Sequence, residues 1–343
     1  MKQRFFHKYL VSISILLLLL VGALKIHSLF FVKDVSDWDF QSLQKLNTTN
    51  KDFSFAVFGD NKNSIGTFNN LIDKINNDDV MFAVDNGDLV YDGEKEKYRF
   101  FIDQISRFKK PLLTVIGNHE IKENGNGIYY NYFGRPYYSF TVGKSYFIVL
   151  DDSNEKSIDK WQLDWFKKEL NNSQSYKNRF VFMHVPLYDP REGDYKLGHS
   201  LEDLKMARTL NDLFDKYRVT MVFASHIHSY YEGKWQNTPY IISGGGGAEL
   251  AGADPKHDFY HYIKVDVKND KVSYEVVKIK SPPNEMLDRL LNDAWIYVYA
   301  FVAIHYLDLI LGILLAYLAA YVFLVNSKTN YKNYFGRGKT DNL

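Results

Sequence analysis

FSFAVFGDNK (residues 53–62) and VMFAVDNGDLVY (residues 80–91) share one shape: a short apolar run, then a turn that carries an aspartate. Phe53 to Phe58 and Val80 to Val84 have the Val and Phe content of buried strands. Each is followed by Gly-Asp, where glycine permits a tight turn and close backbone approach. The shape returns three times downstream. Leu112 to Ile116 leads into Gly117-Asn118-His119-Glu120, Phe180 to Met183 into His184-Val185-Pro186, and Met221 to Ala224 into Ser225-His226-Ile227-His228. Each of the five clusters supplies an oxygen or nitrogen that can bind a cation.

Helical patterns separate these runs, over Phe68 to Ile75, Glu94 to Phe108, Ile158 to Leu170 and Leu201 to Tyr217. Ser157 is the expected N-cap of the third. Trp161 and Trp165, four apart, are expected as core residues of one face of that helix. Tyr146 to Leu150 and Tyr240 to Ile242 are further strands. Ile263 to Val267 and Val272 to Val277 read as a closing hairpin across Asn269-Asp270. Strands alternating with helices predict an α/β fold. In such folds the ligand site lies beyond the carboxyl ends of the strands. That geometry gathers Asp60, Asp88, Asn118, His184 and His226 at one edge of the sheets.

Composition sets the bounds. The 343 residues are 46% apolar, with 42 basic and 41 acidic side chains and a net charge of +1. So even a balance offers no broad face for a polyanion, and nucleic acid is not expected as a partner. The absence of cysteine excludes disulfides, thiolate metal sites and a cysteine nucleophile.

The ends differ from the middle. Leu10 to Leu24 carries no charge and follows Lys2, Arg4 and Lys8. It is shorter than the ~20 residues of a spanning helix, and reaches that length by taking in Lys25 and His27. Residues 1–32 are therefore a retained signal anchor or a cleaved signal peptide, with Val21-Gly22-Ala23 as the small-residue site. Residues 33–52 read as a linker, 53–280 as the globular domain and 281–294 as a second linker. Residues 295–325 read as a transmembrane helix with a single charged residue, Asp308, which with His305 is expected near the outer interface. Residues 326–343 form a basic tail with Lys328, Lys332, Arg337 and Lys339. Positive residues favour the cytoplasmic side, so both termini are expected there. The middle of the chain is then on the extracytoplasmic face of the cell membrane, with the lipid bilayer as a partner.

Two carboxylates, an amide oxygen and three imidazoles form a mixed oxygen and nitrogen set, which suits Fe, Mn or Zn better than Ca or Mg. Asp88, central in the order of the clusters, is the expected bridge between two ions. The ordered series Gly-Asp, Gly-Asp, Gly-Asn-His-Glu, His and His-x-His, over about residues 53 to 280, resembles the calcineurin-like metallophosphoesterases. The resemblance implies two packed mixed β-sheets flanked by helices, with a site for two divalent or trivalent ions at one edge. It implies Asp60, Asp88 and His228 on one ion, Asp88, Asn118, His184 and His226 on the other, and His119 as the catalytic histidine.

The chain departs from the commonest pattern of that family in two places. Asp60-Asn61-Lys62 stands where Asp-x-His is usual, and Ser225 stands where the last motif usually has Gly. Gly87-Asp88-x-x-Tyr91 is similar to the second motif of the purple acid phosphatase branch, which implies Tyr91 as a metal ligand in place of the missing histidine. The implied activity is hydrolysis of a phosphate mono- or diester by a metal-activated hydroxide, with His119 assisting the leaving oxygen. Glu120 reads equally as a residue that orients His119 and as one behind the site or on the surface. Lys62, Arg191 and His199 are candidate contacts to a phosphoester substrate. His257 and His261 read as structural, and Gly244 to Gly247 as a tight turn beside the metals. The altered first motif leaves a second reading open, a non-catalytic metal- or phosphate-binding membrane module.

Overall fold

Among the residues that the structure, a computed structural model, describes (2–30, 35–193, 196 and 198–336), the chain runs in this order. Helices α1 (Lys2–Phe30) and α2 (Trp38–Gln44) precede β1 (Phe53–Phe58), α3 (Gly66–Asn76), β2 (Phe82–Asp85), α4 (Lys95–Ile105) and β3 (Leu112–Thr114). Next come α5 (Asn126–Phe133), β4 (Tyr138–Val142), β5 (Ser145–Val149), α6 (Lys160–Asn172) and β6 (Asn178–Phe182). The rest is α7 (Leu204–Lys216), β7 (Met221–Ala224), β8 (Tyr230–Trp235), β9 (Thr238–Ser243), β10 (His261–Lys268), β11 (Lys271–Lys278) and α8 (Glu285–Gly336). The expected boundary at residue 32 and the tail residues Arg337 and Lys339 lie outside the described residues. Residues 33–293 make one unit. Residues 1–32 with 294–343 make another.

In the larger unit, β1 sorts the layers. Strand side chains alternate between faces. Phe55 and Val57 point into a core shared with Phe82, Phe147, Phe180, Phe182 and Phe223. Ala56 and Phe58 point the other way, against Phe68, Leu71 and Phe101 of α3 and α4. One sheet has the strand order β11-β10-β1-β2-β3 and the other β4-β5-β6-β7-β9-β8. The neighbours β1, β2 and β3 are parallel, as are β5, β6, β7 and β9, while β10, β11, β4 and β8 pair antiparallel. The phenylalanine layer is therefore the inside of a sandwich of two mixed sheets. A third core, with Phe166, Leu170, Leu210 and Phe214, packs α6 and α7 on the outer face of the second sheet.

The closing hairpin and the alternating strands stand where the sequence placed them. Elements it did not announce are α2, α5, β4 and β8. Strand β8 carries Glu232, Gly233 and Lys234 at a sheet edge, so its sequence reads as a turn. Helix α2 lies within residues 33–52, where Trp38 donates to the Leu112 carbonyl at 2.9 Å. Helix α8 begins at Glu285, inside residues 281–294.

The third helix corrects two expectations. Asp159, not Ser157, caps α6, its Oδ1 accepting the Gln162 N–H at 2.8 Å. Trp161 is 82% exposed, because the buried face of α6 runs through Gln162, Phe166, Glu169 and Leu170. Trp165 lies one position off that face and packs on Tyr137, ring centroids 4.9 Å apart.

Phe6–Phe30 and Met286–Asn326 bound two helical stretches long and apolar enough to cross a membrane. Lys25 donates to the Ala303 carbonyl at 2.8 Å, and His27 Nδ1 lies 3.2 Å from the Tyr299 hydroxyl. His305 leaves helical dihedrals, and its Nδ1 is 3.5 Å from Asp308 Oδ2.

Candidate metal centre

Parallel strands deliver the motifs to one edge. The turns after β1 and β2 are laced by their backbones. Asp60 N–H donates to the Gly87 carbonyl and Lys62 N–H to the Asp88 carbonyl, both at 2.9 Å. Five non-glycine residues here have left-handed φ: Asp60 (59°), Lys62 (44°), Asn63 (58°), Asp88 (58°) and His226 (68°). Such conformations cost about 1–3 kcal/mol each and gather at functional sites. Gly87 (φ 97°) has no substitute, since a Cβ there would stand 2.5 Å from His184 Nδ1. At Gly117 a Cβ would strike the Asp88 amide nitrogen and stand 2.5 Å from Asp88 Oδ1.

Two groups of donor atoms result. Asp88, His184 and His226 form one, and Asp60, Asp88 and His228 the other, each with its ligand atoms within 4.8 Å of one another. Asp88 belongs to both. In the first group His184 Nε2 is 3.2 Å from Asp88 Oδ1, and Asn118 Oδ1 is 3.2 Å from both His184 Nε2 and His226 Nδ1. In the second, His228 Nε2 is 3.7 Å from Asp60 Oδ1.

The tautomers follow from the outer partners. His184 Nδ1 donates to the Asn86 carbonyl at 3.0 Å and His228 Nδ1 to the Glu249 carbonyl at 2.5 Å. Each leaves Nε2 aimed inward, the arrangement of metal-ligating histidines. Both Asp60 oxygens are buried with no hydrogen-bond partner among the described residues. Desolvated carboxylates left this way are costly unless a cation meets them. The donor set therefore fits two metal ions.

Electrostatics agree. Burial, with Asp88 alongside, raises Asp60 to about 7. Burial would also raise Asp88, but His184 overrides it and holds Asp88 well below the carboxylate range. In the same pair burial opposes the charge on His184, yet Asp88 carries its pKa up to about 10. Burial and the protonated His184 push His226 down, and burial with Lys62 lowers His228 to about 4.

His119 stands at the mouth. Its Nδ1 contacts the Tyr91 carbonyl, and the Lys122 ammonium donates to its Nε2 at 2.8 Å. Burial, reinforced by Lys62 and Lys122, lowers its pKa to about 4, so the ring is neutral. The Glu120 carboxylate bonds backbone rather than the His119 ring, which favours the second of its two readings. It is fully buried and accepts the N–H groups of Asp88 (2.9 Å), Val90 (3.0 Å) and Gly117 (2.6 Å), clamping the second motif to the third.

A cavity of about 640 Å³ opens here, lined by Lys62, Asp88, Asn118, His119, Arg191 and His199 among others. Lys62 Nζ is 3.1 Å from Asp88 Oδ2. Arg191 is held by Asp189 through Nε at 2.9 Å and Nη2 at 2.7 Å. The His199 ring stacks on His226, centroids 3.9 Å apart. Tyr91 is 40% exposed, edge-on to His119 at 6.1 Å, with Lys97 over its ring.

Sequence reasoning missed Asp152 and Asp85. Asp152 accepts the backbone N–H groups of His184 and Val185, both at 2.9 Å. Asp85 accepts from Asn61 at 2.7 Å. The signal for Asp152 was present, because Asp151-Asp152 follow β5 as the other clusters follow their strands. His257 and His261 are structural, bound to the Tyr230 and Phe259 carbonyls at 2.8 Å each.

A family model described as calcineurin-like phosphoesterase matches residues 53–230. Purple acid phosphatase 23 of Arabidopsis thaliana is 28% identical over 158 residues, 40% of this chain and 33% of its own length. A probable glycerophosphodiester phosphodiesterase of Arcobacter nitrofigilis is 26% identical over 255 residues, 70% of this chain and 84% of that one. The solved purple acid phosphatase PPD1 from yellow lupin (Lupinus luteus) seeds shares the fold, with a TM-score of 0.51 at 18% identity, over 70% of this chain and 56% of that one. The first three curated relatives are matched over 33%, 44% and 62% of their own lengths, so the chain spans less than two thirds of each.

Proposed function

The chain belongs to the calcineurin-like phosphoesterases, and from that membership we propose that it is a membrane-anchored, metal-dependent hydrolase of phosphate mono- or diesters. The observation that carries the reading is Asp88, one buried carboxylate common to two donor groups. Asp60, Asp88 and His228 would hold one ion, and Asp88, Asn118, His184 and His226 the other. Bound there, Fe, Mn or Zn would acidify a water and offset charge on the phosphoryl oxygens.

The chain's own residues do the rest. Asn86 and Glu249 carbonyls and the Asp152 carboxylate fix the imidazoles before substrate arrives. His119 faces the cavity with Nε2, which in the neutral ring accepts from the Lys122 ammonium, so a proton given to the leaving oxygen there would be one that Lys122 passes to Nε2. Arg191 and His199 line the cavity where they would meet the phosphoryl oxygens. The two apolar helices support anchoring, and the basic residues flanking them support an extracytoplasmic domain with a cytoplasmic C-terminus. Protease added to intact cells should then cut the middle of the chain.

The test is the full chain in detergent, loaded with Fe, Mn or Zn and offered an aryl phosphate and a bis-aryl diester. Turnover of at least one, abolished by a chelator, is expected. Full metal occupancy without turnover of either would favour the non-catalytic module. We carry Tyr91 as a phenolate ligand of the ion at Asp60. Oxidised, iron-loaded protein should then absorb in the visible, and Tyr91→Phe should remove the band. A colourless iron-loaded protein would withdraw Tyr91 from the ligand set.

A further inference from the structure

The two oxygens of Asp88 face different partners. Oδ1 looks toward His184 Nε2 at 3.2 Å, while Oδ2 meets the Lys62 ammonium at 3.1 Å. Lys62, two residues after Asp60, is therefore seated against the carboxylate that both donor groups share, on the oxygen other than the one facing His184, and lines the same cavity as His228. Its side chain is 15% exposed. Its backbone is fixed there by the bond to the Asp88 carbonyl at 2.9 Å and by a left-handed φ of 44°. A lysine ammonium has three donors and no lone pair, so it neutralises a carboxylate without ligating a metal. It carries a cation's charge into a cation's place.

We propose that Lys62 is a built-in competitor for the Asp60–Asp88–His228 position, so that the two metal positions load in order. The ion at Asp88, Asn118, His184 and His226 binds first and tightly. The second ion must displace the ammonium from Asp88 Oδ2 and binds weakly. The stem of lysine is flexible, and Lys62 already lines the cavity, so the displaced ammonium stays where a phosphoester would lie. Loading of the second position and availability of Lys62 to substrate are then one event. This inference rests on the two-ion reading above and goes beyond it in assigning unequal affinities and their cause.

The experiment is a calorimetric titration of chelator-stripped full chain in detergent with Mn²⁺ and, separately, Zn²⁺, with bound metal counted by elemental analysis. Wild type should take up two ions whose dissociation constants differ by at least about tenfold, within the roughly 5–150-fold range of ordinary coupling between sites. Lys62→Gln should tighten the weaker step by about that factor and leave the tighter step unchanged. Lys62→Arg, which keeps the charge, should leave both steps as in wild type, and it serves where the glutamine variant fails to fold. Two equal constants in wild type, or a weak step that Lys62→Gln does not move, would overturn the role of Lys62 while leaving the two-ion site intact. No metal uptake by wild type would overturn the site itself and this inference with it.

Discussion

The two cation positions share Asp88 and differ in how the protein holds them. At the first, the central imidazole is fixed through both its ring and its backbone. His184 is fully buried, its Nδ1 bonded to Asn86 and its backbone to Asp152, and the Asn118 oxygen stands 3.2 Å from both imidazoles. At the second, His228 is 20% exposed, rests on the Glu249 carbonyl and shares the space with Lys62. The first is a preorganised socket. The second is a socket already tenanted by a side chain. Burial with fixed dipoles makes a position strong, and access makes it adjustable.

The hardest test of this comparison removes what the positions share. Asp88→Asn takes one carboxylate from both. Turnover should drop by the several kcal/mol of transition-state stabilisation that metals supply, on the order of 10³-fold, and bound metal should fall at both positions. Retention of two ions by Asp88→Asn, measured by elemental analysis, would show that the positions are independent and that the bridge is not one.

The first position was also the more legible in the sequence. Asn118, His184 and His226 follow strands whose Val, Ile and Phe runs announce themselves, and the rule that sites lie at strand ends places them together. The second was legible in Asp60 and His228 but not in Lys62, whose seat depends on a left-handed turn that no pattern in the sequence encodes. The outer partners were harder still. Asp152 follows a strand as the ligands do, but it and Glu120 act on backbone N–H groups 32 residues away, and a carboxylate bonded to peptide leaves no spacing from which to read its partner. The missed elements follow the same logic. Strand β8 is polar because it lies at an edge, and Trp161 is exposed because a one-residue offset turns it off the buried face of α6.

A narrower test touches the first position alone. Asp152→Ala frees the backbone of His184 and Val185 without removing a ligand. Loss of an outer partner of this kind costs roughly 10–100-fold in metal affinity. The tight dissociation constant should weaken by that factor and the weak one should hold. Equal weakening of both would mean that Asp152 supports the whole edge of the sheet rather than one socket.

The smallest effect separates the positions by pH. Without metal, protons take the place of cations. Asp60 is raised by burial and Asp88 to about 7, so the folded chain keeps a proton there that the unfolded chain releases above about pH 4. Its contribution to stability is full at low pH and is lost as pH climbs from about 4 to about 7. His184, raised to about 10 by Asp88 despite burial, contributes fully below about pH 6.5, and that is lost as pH rises through about 10. Both slopes run downward in chelated protein, and the buried Glu120 and Asp152, each raised to about 7, run with Asp60. Metal replaces these protons and removes the slope. The melting temperature of loaded protein should therefore exceed that of chelated protein by a margin that grows from pH 5 to pH 9. One titrating proton is worth about 1.4 kcal/mol per pH unit, or about 2–4 °C in a domain of this size. Growth below about pH 7 reports Asp60 at the second position together with Glu120 and Asp152, and growth above it reports His184 at the first. A His184→Asn variant should lose the upper part of that growth and keep the lower. A margin independent of pH in wild type would mean that the metal-free site is neutralised without protons, and that the charge of Lys62 is sufficient for both positions.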